Sequence, residues 1–248
     1  KGTRPAGSPA ARQGGSMNAD ESKALWKAEE ARAFQGWDFS HLDGRWVDAP
    51  LPWDYRALVL SALGPDDRLL DMGTGGGEFL LTLGHPHRLT TVTEAYPSNA
   101  ALCRRRLEPL GITVAHTARD DELPFPDGAF DTVINRHESF SAAEVARILR
   151  TGGRFITQQV GGRNDADLSE MLIAGFTPRY PDHTLENSVR ALRQCGFAIR
   201  QAAQHSAPLR FFDVGAVVYF AKIVEWEFPG FSVEACFGAL CLLQAEIE

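Results

Sequence analysis

The sequence predicts an α/β fold of the doubly wound type, with a mainly parallel sheet. The first observation is the stretch 69–81, where a short apolar run meets a glycine-rich turn and apolar residues then resume at helical spacing. The second is that further short apolar runs alternate with helix-forming stretches along the chain. A chain of 248 residues with 44% hydrophobic content is long enough for one sizeable domain of this class.

The individual elements follow from apolar spacing and from residues that start or stop helices. Asp54, Ser141 and Asp213 are typical helix N-caps, while Gly111 and Gly196 are typical of helix ends. The predicted strands are 68–72, 89–93, 112–115, 131–135, 154–160 and 197–202. The predicted helices are 20–34, 54–63, 78–83, 97–110, 141–150, 168–173, 184–195, 214–224 and 232–247.

The glycine turn after the first of these strands predicts a nucleoside site. Gly73, Gly75 and Gly77 leave the backbone free to turn tightly and to lie against a ligand, and the helix that follows offers unpaired N–H groups. A dinucleotide fingerprint would place its third glycine where Glu78 stands. The spacing therefore argues against a nicotinamide oxidoreductase, which remains an alternative.

The pattern acidic-x-G-x-G-x-G, led by Asp71, resembles motif I of the class I S-adenosylmethionine-dependent methyltransferases. Two more blocks resemble that family: 118–131, with a Leu-Pro-Phe turn before a strand, and 146–155, a Gly-Gly passage before the next strand. The resemblance implies a Rossmann-like sheet of the seven-stranded type. Its last, antiparallel strand has no obvious sequence here unless 217–223 supplies it.

The resemblance also implies that S-adenosylmethionine is the cofactor and S-adenosylhomocysteine the product. Glu94 follows Gly77 by 17 residues, close to the ~20 expected for an acid that binds a ribose diol. The other interpretation of Glu94 is that it caps the helix after Pro97. The remaining cofactor residues implied by the resemblance are Asp71, Gly73, Thr74, Gly75 and Gly77 at the amino-acid end, Asp120 or Asp121 at the adenine, and Asn135 at the reacting face.

The catalytic candidates are His137 and Glu138, which follow the strand 131–135 at the sheet edge where doubly wound folds bind ligands. With an unperturbed pKa near 6.5, His137 would act as a general base toward a hydroxyl or an amine, while Glu138 would orient it or contact the substrate. The alternative is a hydrogen-bonded structural histidine. Gln158 and Gln159, at the end of the next strand, either bind the acceptor or satisfy loop backbone.

Aromatic residues crowd the segment 35–55, among them Trp37, Phe39, Trp46, Trp53 and Tyr55. They either anchor an irregular arm to the domain or cover and line the acceptor pocket. We expect anchoring with partial lining. The predicted organisation is a disordered leader or tag over 1–16, an N-terminal helical and aromatic cap over 17–64, and a methyltransferase domain with C-terminal helices over 65–248.

Composition limits the partners. The formal charge of −7 argues against a nucleic-acid substrate, and the spacing of the four cysteines matches no metal site. No apolar run approaches the ~18 residues of a membrane span, so we expect a cytoplasmic monomer or homodimer without membrane contact. The predicted function is O- or N-methylation of a small-molecule acceptor, and an RNA-modifying methyltransferase is the main alternative.

Overall fold

The computed structural model describes residues 18–34, 38–117 and 119–247. Its helices are α1 (Ala19–Ala31), α2 (Tyr55–Ala62), α3 (Glu78–Leu81), α4 (Pro97–Leu107), α5 (Ala142–Ile148), α6 (Ala166–Leu172), α7 (Leu185–Gln194), α8 (Val214–Ile223) and α9 (Val233–Ile247). Its strands are β1 (Trp46–Asp48), β2 (Leu69–Met72), β3 (Thr90–Glu94), β4 (Thr113–His116), β5 (Phe130–Arg136), β6 (Leu149–Gln158) and β7 (Leu209–Phe211). The predicted leader, Met17, Gly36 and Trp37 lie outside the described residues.

Five of the strands form one parallel sheet in the order β4-β3-β2-β5-β6. The chain runs outward from β2 to β4, returns to β5 beside β2, and continues outward to β6. Because the strand order reverses at β2 and β5, their carboxyl ends frame the crevice in which such sheets bind ligands. The predicted doubly wound, parallel α/β fold is confirmed.

Helices cover both faces of this sheet, so the side chains that alternate along its strands are buried on both sides. In β2, Leu69 packs on one face with residues of α2, α3 and α4, while Leu70 and Met72 pack on the other with residues of α5. Successive side chains of a strand point to opposite faces, so a strand covered on both sides carries apolar residues at adjacent positions, as Leu69 and Leu70 do. The predicted caps hold as well: Asp54, Ser141 and Asp213 each accept a backbone N–H of the helix that they precede.

One prediction for the C-terminal part was wrong. The predicted strand 197–202 is irregular: Phe197 packs against Phe155, but 200–202 is exposed and pairs with no strand in the described chain. The predicted helix 214–224 is confirmed as α8, whose N-terminus Asp213 caps, and the alternative of a seventh strand over 217–223 is therefore wrong. The parallel sheet therefore has five strands over the described ranges, not seven.

A third apolar cluster lies apart from the sheet and joins the two ends of the chain. Strands β1 and β7 pair antiparallel, which places Trp46 opposite Phe211, and α1 packs on α8 and α9 through Trp26. The Arg45 guanidinium donates two hydrogen bonds to the Asp213 carboxylate, at 2.9 and 2.6 Å, and a third to Glu29. These contacts attach the N-terminal arm to the C-terminal helices.

Candidate functional site

The glycine turn lies at the carboxyl end of β2, where the sequence placed it. Gly73, Gly75 and Gly77 have φ angles of 66°, 64° and 80°, in the left-handed region that glycine adopts without strain. A Cβ on Gly73 would stand 2.5 Å from side-chain carbons of Glu138, and one on Gly77 would stand 2.8 Å from Leu107. Any other residue at these two positions would strain the backbone and would force the Glu138 or Leu107 side chain to move.

Asp71 is buried inside β2, directly before the turn. Its carboxylate accepts a hydrogen bond from the Thr74 hydroxyl at 2.7 Å, so both residues serve to shape the turn. Burial, with a smaller contribution from the nearby Glu94 carboxylate, raises the pKa of Asp71 to about 7 against the opposing effects of Thr74 and Arg136. This carboxyl group thus titrates near neutral pH and gains stability from any cation placed beside it.

Glu94 ends the neighbouring strand β3, and its side chain reaches the glycine turn. It is 2% exposed, and its carboxylate accepts the backbone N–H groups of Gly75 at 2.9 Å and of Tyr96 at 3.0 Å. Burial raises its pKa, and the hydrogen bonds from the backbone N–H groups work against that rise. Tyr96 is the N-cap of α4, so the capping interpretation describes one contact of Glu94 and the link to the turn is a second.

The two candidate aspartates after β4 differ in their surroundings. Asp121 is exposed and forms an ion pair with Arg119 through two contacts of 2.9 Å. Asp120 is half-buried, accepts a hydrogen bond from the Ser139 hydroxyl and lies close enough to Glu138 to raise that residue's pKa. The geometry therefore favours Asp120 as the residue that faces the site.

At the end of β5, Asn135 is fully buried and held by neighbouring strands. Its side-chain oxygen accepts hydrogen bonds from Thr157 at 3.1 Å and from the Gln159 amide, and its amide nitrogen lies 3.5 Å from the Ser139 carbonyl. The Tyr55 hydroxyl lies 3.0 Å from its backbone carbonyl oxygen. These partners hold Asn135 between β5 and β6, and its role toward the cofactor stays a prediction.

His137 has a φ of 61°, a left-handed conformation that is uncommon outside glycine. Its backbone N–H donates to the Gln158 carbonyl at 2.9 Å, and its ring Nε2 lies 3.1 Å from the Gln158 amide nitrogen. Surrounding protein, together with the positive charge of Arg136, lowers the pKa of His137 to about 4, although the residue retains exposed surface. The side chain in contact with His137 is thus Gln158, not Glu138, which the sequence proposed for that position.

Glu138 lies over the glycine turn, against Gly73. Burial raises its pKa to about 7, and the negative charges of Asp120 and Glu94 add to the effect. Its backbone carbonyl accepts the Gln159 amide at 3.0 Å, which fixes the loop that carries it. Its carboxyl group is therefore poised to exchange a proton at neutral pH, and both catalytic assignments stay predictions.

Sequence reasoning missed the contacts that Trp53 and Tyr55 make at this edge. The indole N–H of Trp53 donates to the Gln158 side-chain oxygen at 2.9 Å, and the Tyr55 hydroxyl lies 3.1 Å from the Ile156 carbonyl oxygen. The crowding of aromatic residues before residue 56 was the available signal, but it could not separate anchors from site residues. Trp46 belongs to the third apolar cluster, whereas Trp53 and Tyr55 reach the sheet edge.

The site brings four carboxyl groups together with one arginine. Asp71, Glu94, Asp120 and Glu138 surround the turn, and Arg136 lies over the Phe79 ring with its guanidinium carbon 5.2 Å from the ring centroid. Such a site suits a ligand with hydroxyl and cationic groups. No cluster of three or more His, Cys, Asp or Glu suited to a metal occurs among the residues that the structure describes. Within the same residues, no helix is both long enough and apolar enough to cross a bilayer.

Comparison with known proteins agrees with the sequence resemblance. Residues 70–157 match a family model described as a methyltransferase domain. Demethylmenaquinone methyltransferase of Thermus thermophilus is 35% identical over 118 residues, which cover 44% of this chain and 54% of that protein. Fatty-acid O-methyltransferase of Mycolicibacterium smegmatis is 33% identical over 129 residues, 48% of this chain and 47% of that protein.

The chain thus spans about half the length of these two relatives. Among solved structures, a geranyl diphosphate methyltransferase in complex with GPP and sinefungin aligns with a TM-score of 0.42 at 20% identity. That alignment covers 56% of this chain and 57% of the other.

Proposed function

We propose that the chain is a class I S-adenosylmethionine-dependent methyltransferase and that it transfers a methyl group to an oxygen or nitrogen of a small-molecule acceptor. The observation that carries the proposal is the link between Glu94 and Gly75, because it ties a nearly inaccessible carboxylate at the tip of β3 to the turn at the tip of β2. A carboxylate keeps lone pairs for a ribose diol after it has accepted two N–H groups.

The residues present fit S-adenosylmethionine on two counts. Gly73, Gly75 and Gly77 adopt left-handed φ angles that other residues adopt only with strain, so the chain keeps the tight turn that a nucleoside-binding loop requires. The carboxyl groups around it complement the positive charges of the cofactor. We assign the amino-acid end to Asp71 and the turn 73–77, the ribose to Glu94 and the adenine edge to Asp120, with Asn135 fixing the strand end beside them.

When bound, S-adenosylmethionine would supply a methyl group attached to a positively charged sulfur. The bond between the sulfur and the methyl carbon would break as a lone pair of the acceptor forms a bond to that carbon. The protein's main task is therefore to hold the acceptor in line, and positioning of this kind contributes about 7–11 kcal/mol. An acceptor that carries a proton must also lose it. We propose Glu138 for that step, since a pKa of about 7 matches a proton acceptor at neutral pH.

The negative charge of the chain and its similarity to two methyltransferases support a small organic acceptor. A net charge of −7 and four carboxyl groups at the site oppose the approach of a phosphate backbone. The two relatives named above act, by their names, on demethylmenaquinone and on fatty acids. The half-buried ring of Trp53, held beside Gln158, supplies an aromatic surface at the same edge.

Isothermal calorimetry with S-adenosylhomocysteine, NAD and NADP tests the nucleoside site. Of these three ligands, we expect only S-adenosylhomocysteine to bind. Transfer of isotope-labelled methyl groups to a panel of quinols, fatty acids, phenols and amines, with RNA as a separate arm, tests the acceptor class. Saturable NAD binding, or labelling of RNA and of nothing else, would contradict the proposal.

The affinity for S-adenosylhomocysteine should rise with pH between about 5.5 and 7.5. The pKa of Asp71 is about 7 without ligand, and a ligand ammonium group beside it favours the ionised form, so binding releases a proton and strengthens as pH rises. Below the pKa of Asp71, the increase in affinity approaches about tenfold per pH unit. Calorimetry across this range would measure it.

The control for this pH dependence separates Asp71 from Glu138, whose pKa is also about 7. Asp71→Asn should bind more weakly and with a flatter profile, whereas Glu138→Gln should keep most of the slope. An unchanged slope in Asp71→Asn would show that another group is responsible.

A further inference from the structure

Three side chains from distant parts of the chain, those of Trp53, Gln158 and His137, are hydrogen-bonded in a row. The Trp53 indole N–H donates to the Gln158 Oε1 at 2.9 Å, and the Gln158 Nε2 lies 3.1 Å from the His137 Nε2. Gln158 is the last residue of β6, where it pairs in register with Arg136 of β5. The row therefore spans the carboxyl edge of the sheet, from the N-terminal arm to the residue after β5.

The chemistry of these groups leaves one arrangement of protons. An indole N–H can only donate, so the oxygen of the Gln158 amide must face Trp53 and its NH₂ group must face His137. An amide NH₂ is a donor, so the Nε2 of His137 must accept and cannot carry a proton. A neutral imidazole carries its single proton on the other nitrogen, here Nδ1.

We propose that Trp53 and Gln158 are positioning residues that hold His137 as a neutral hydrogen-bond donor, with its proton on Nδ1, and that His137 does not serve as the general base. The lone pair that a base would need already accepts the Gln158 amide. The Nδ1–H group makes no hydrogen bond within the described chain, so it is available to a ligand. This inference rests on the methyltransferase function proposed above and refines one site residue of it.

The electrostatic setting agrees with this assignment. Protonation of His137 would add a second positive charge beside Arg136, and the lowered pKa of His137 reflects the surrounding protein first and that charge second, although part of the residue is exposed. In the methyl transfer, the Nδ1–H group would bind a lone pair on the acceptor molecule and orient it, while a proton from the acceptor would pass to Glu138. The two residues have separate tasks because the Nε2 lone pair of His137 already accepts the Gln158 amide, whereas Glu138 lies over the glycine turn with its carboxyl group.

Nitrogen-15 NMR of the full chain with labelled histidine tests the proposal without any turnover. We expect His137 to show a protonated Nδ1 and an unprotonated Nε2 at pH 7, and to titrate well below pH 6.5. His137→Asn assigns the signals, and it suits the position because asparagine tolerates the left-handed backbone. A protonated Nε2, or a titration near 6.5, would overturn the proposal.

Two substitutions test the positioning residues themselves. In Gln158→Glu a carboxylate, which only accepts, should draw the proton of His137 onto Nε2 or leave the ring charged at pH 7. In Trp53→Phe, which keeps an aromatic ring without the N–H, the amide is free to turn and both tautomers should appear. His205→Asn, in the exposed segment 200–206, is the matched control and should leave the His137 signals unchanged.

An unaltered His137 tautomer in both Gln158→Glu and Trp53→Phe would refute the positioning role. Binding of S-adenosylhomocysteine, measured on the same samples, distinguishes failure of this inference about His137 from failure of the proposed methyltransferase function. Wild type that binds the ligand but carries the opposite tautomer refutes this inference alone. Failure of wild type to bind would refute the proposed function.

Discussion

Glu94→Ala should weaken S-adenosylhomocysteine binding at least tenfold, which corresponds to about 1.4 kcal/mol. The substitution removes the carboxylate proposed to bind the ribose, and it also removes the acceptor that holds the Gly75 N–H at 2.9 Å. Hydrogen bonds to a charged group are worth about 1.5–3 kcal/mol each, so tenfold is the lower end of the expected loss. Isothermal calorimetry on folded protein measures it directly.

The matched control for this loss is Glu186→Ala. Glu186 is an exposed carboxylate on α7 that pairs with Arg190 and lies outside the candidate site. The substitution Glu186→Ala removes the same charge from the protein without altering the glycine turn, so the variant should bind S-adenosylhomocysteine with wild-type affinity. Equal affinities for Glu94→Ala and Glu186→Ala would mean that the ribose contact is misassigned.

Trp26→Ala should lower the free energy of unfolding by about 3–5 kcal/mol. Trp26 is 3% exposed in α1, with its ring 5.7 Å from that of Phe237 in α9, so its loss opens a cavity between the two ends of the chain. Chemical denaturation followed by fluorescence and circular dichroism measures the change.

Leu25→Ala is the matched control, because Leu25 is adjacent in the same helix and 52% exposed. Its effect should stay within about 0.5 kcal/mol. Similar losses for Trp26→Ala and Leu25→Ala would contradict the packing of α1 on α8 and α9. The predicted division between 17–64 and 65–248 remains a proposal, and the third apolar cluster contains residues from both sides of that boundary.

The sheet could be predicted because its signals are local. The short, mostly apolar run Leu69–Met72 is long enough for one buried strand, and the glycines that follow it adopt the left-handed φ angles of the turn without strain. Helix caps at Asp54 and Asp213 are equally local. Each of these features is encoded by residues within a few positions of one another, and each appears in the structure close to its predicted bounds.

What could not be predicted depends on partners far apart in the chain. Nothing near Trp46 indicates that it pairs with Phe211, and nothing near Phe197 shows that its segment lacks a strand partner. The site follows the same rule. The sequence left Asp120 and Asp121 open, and what favours Asp120 is tertiary: it contacts Ser139, whereas Asp121 is exposed and pairs with Arg119.

The central claim is that an adenosyl group lies across the tips of β2 and β3, and a crystal structure of the chain with S-adenosylhomocysteine tests it most directly. We expect the ribose hydroxyls within about 2.6–3.2 Å of the Glu94 carboxylate, as hydrogen bonding requires. The amino-acid end should lie against the turn 73–77 beside Asp71. A nucleoside bound anywhere else, or one whose sugar does not contact Glu94, would contradict the account.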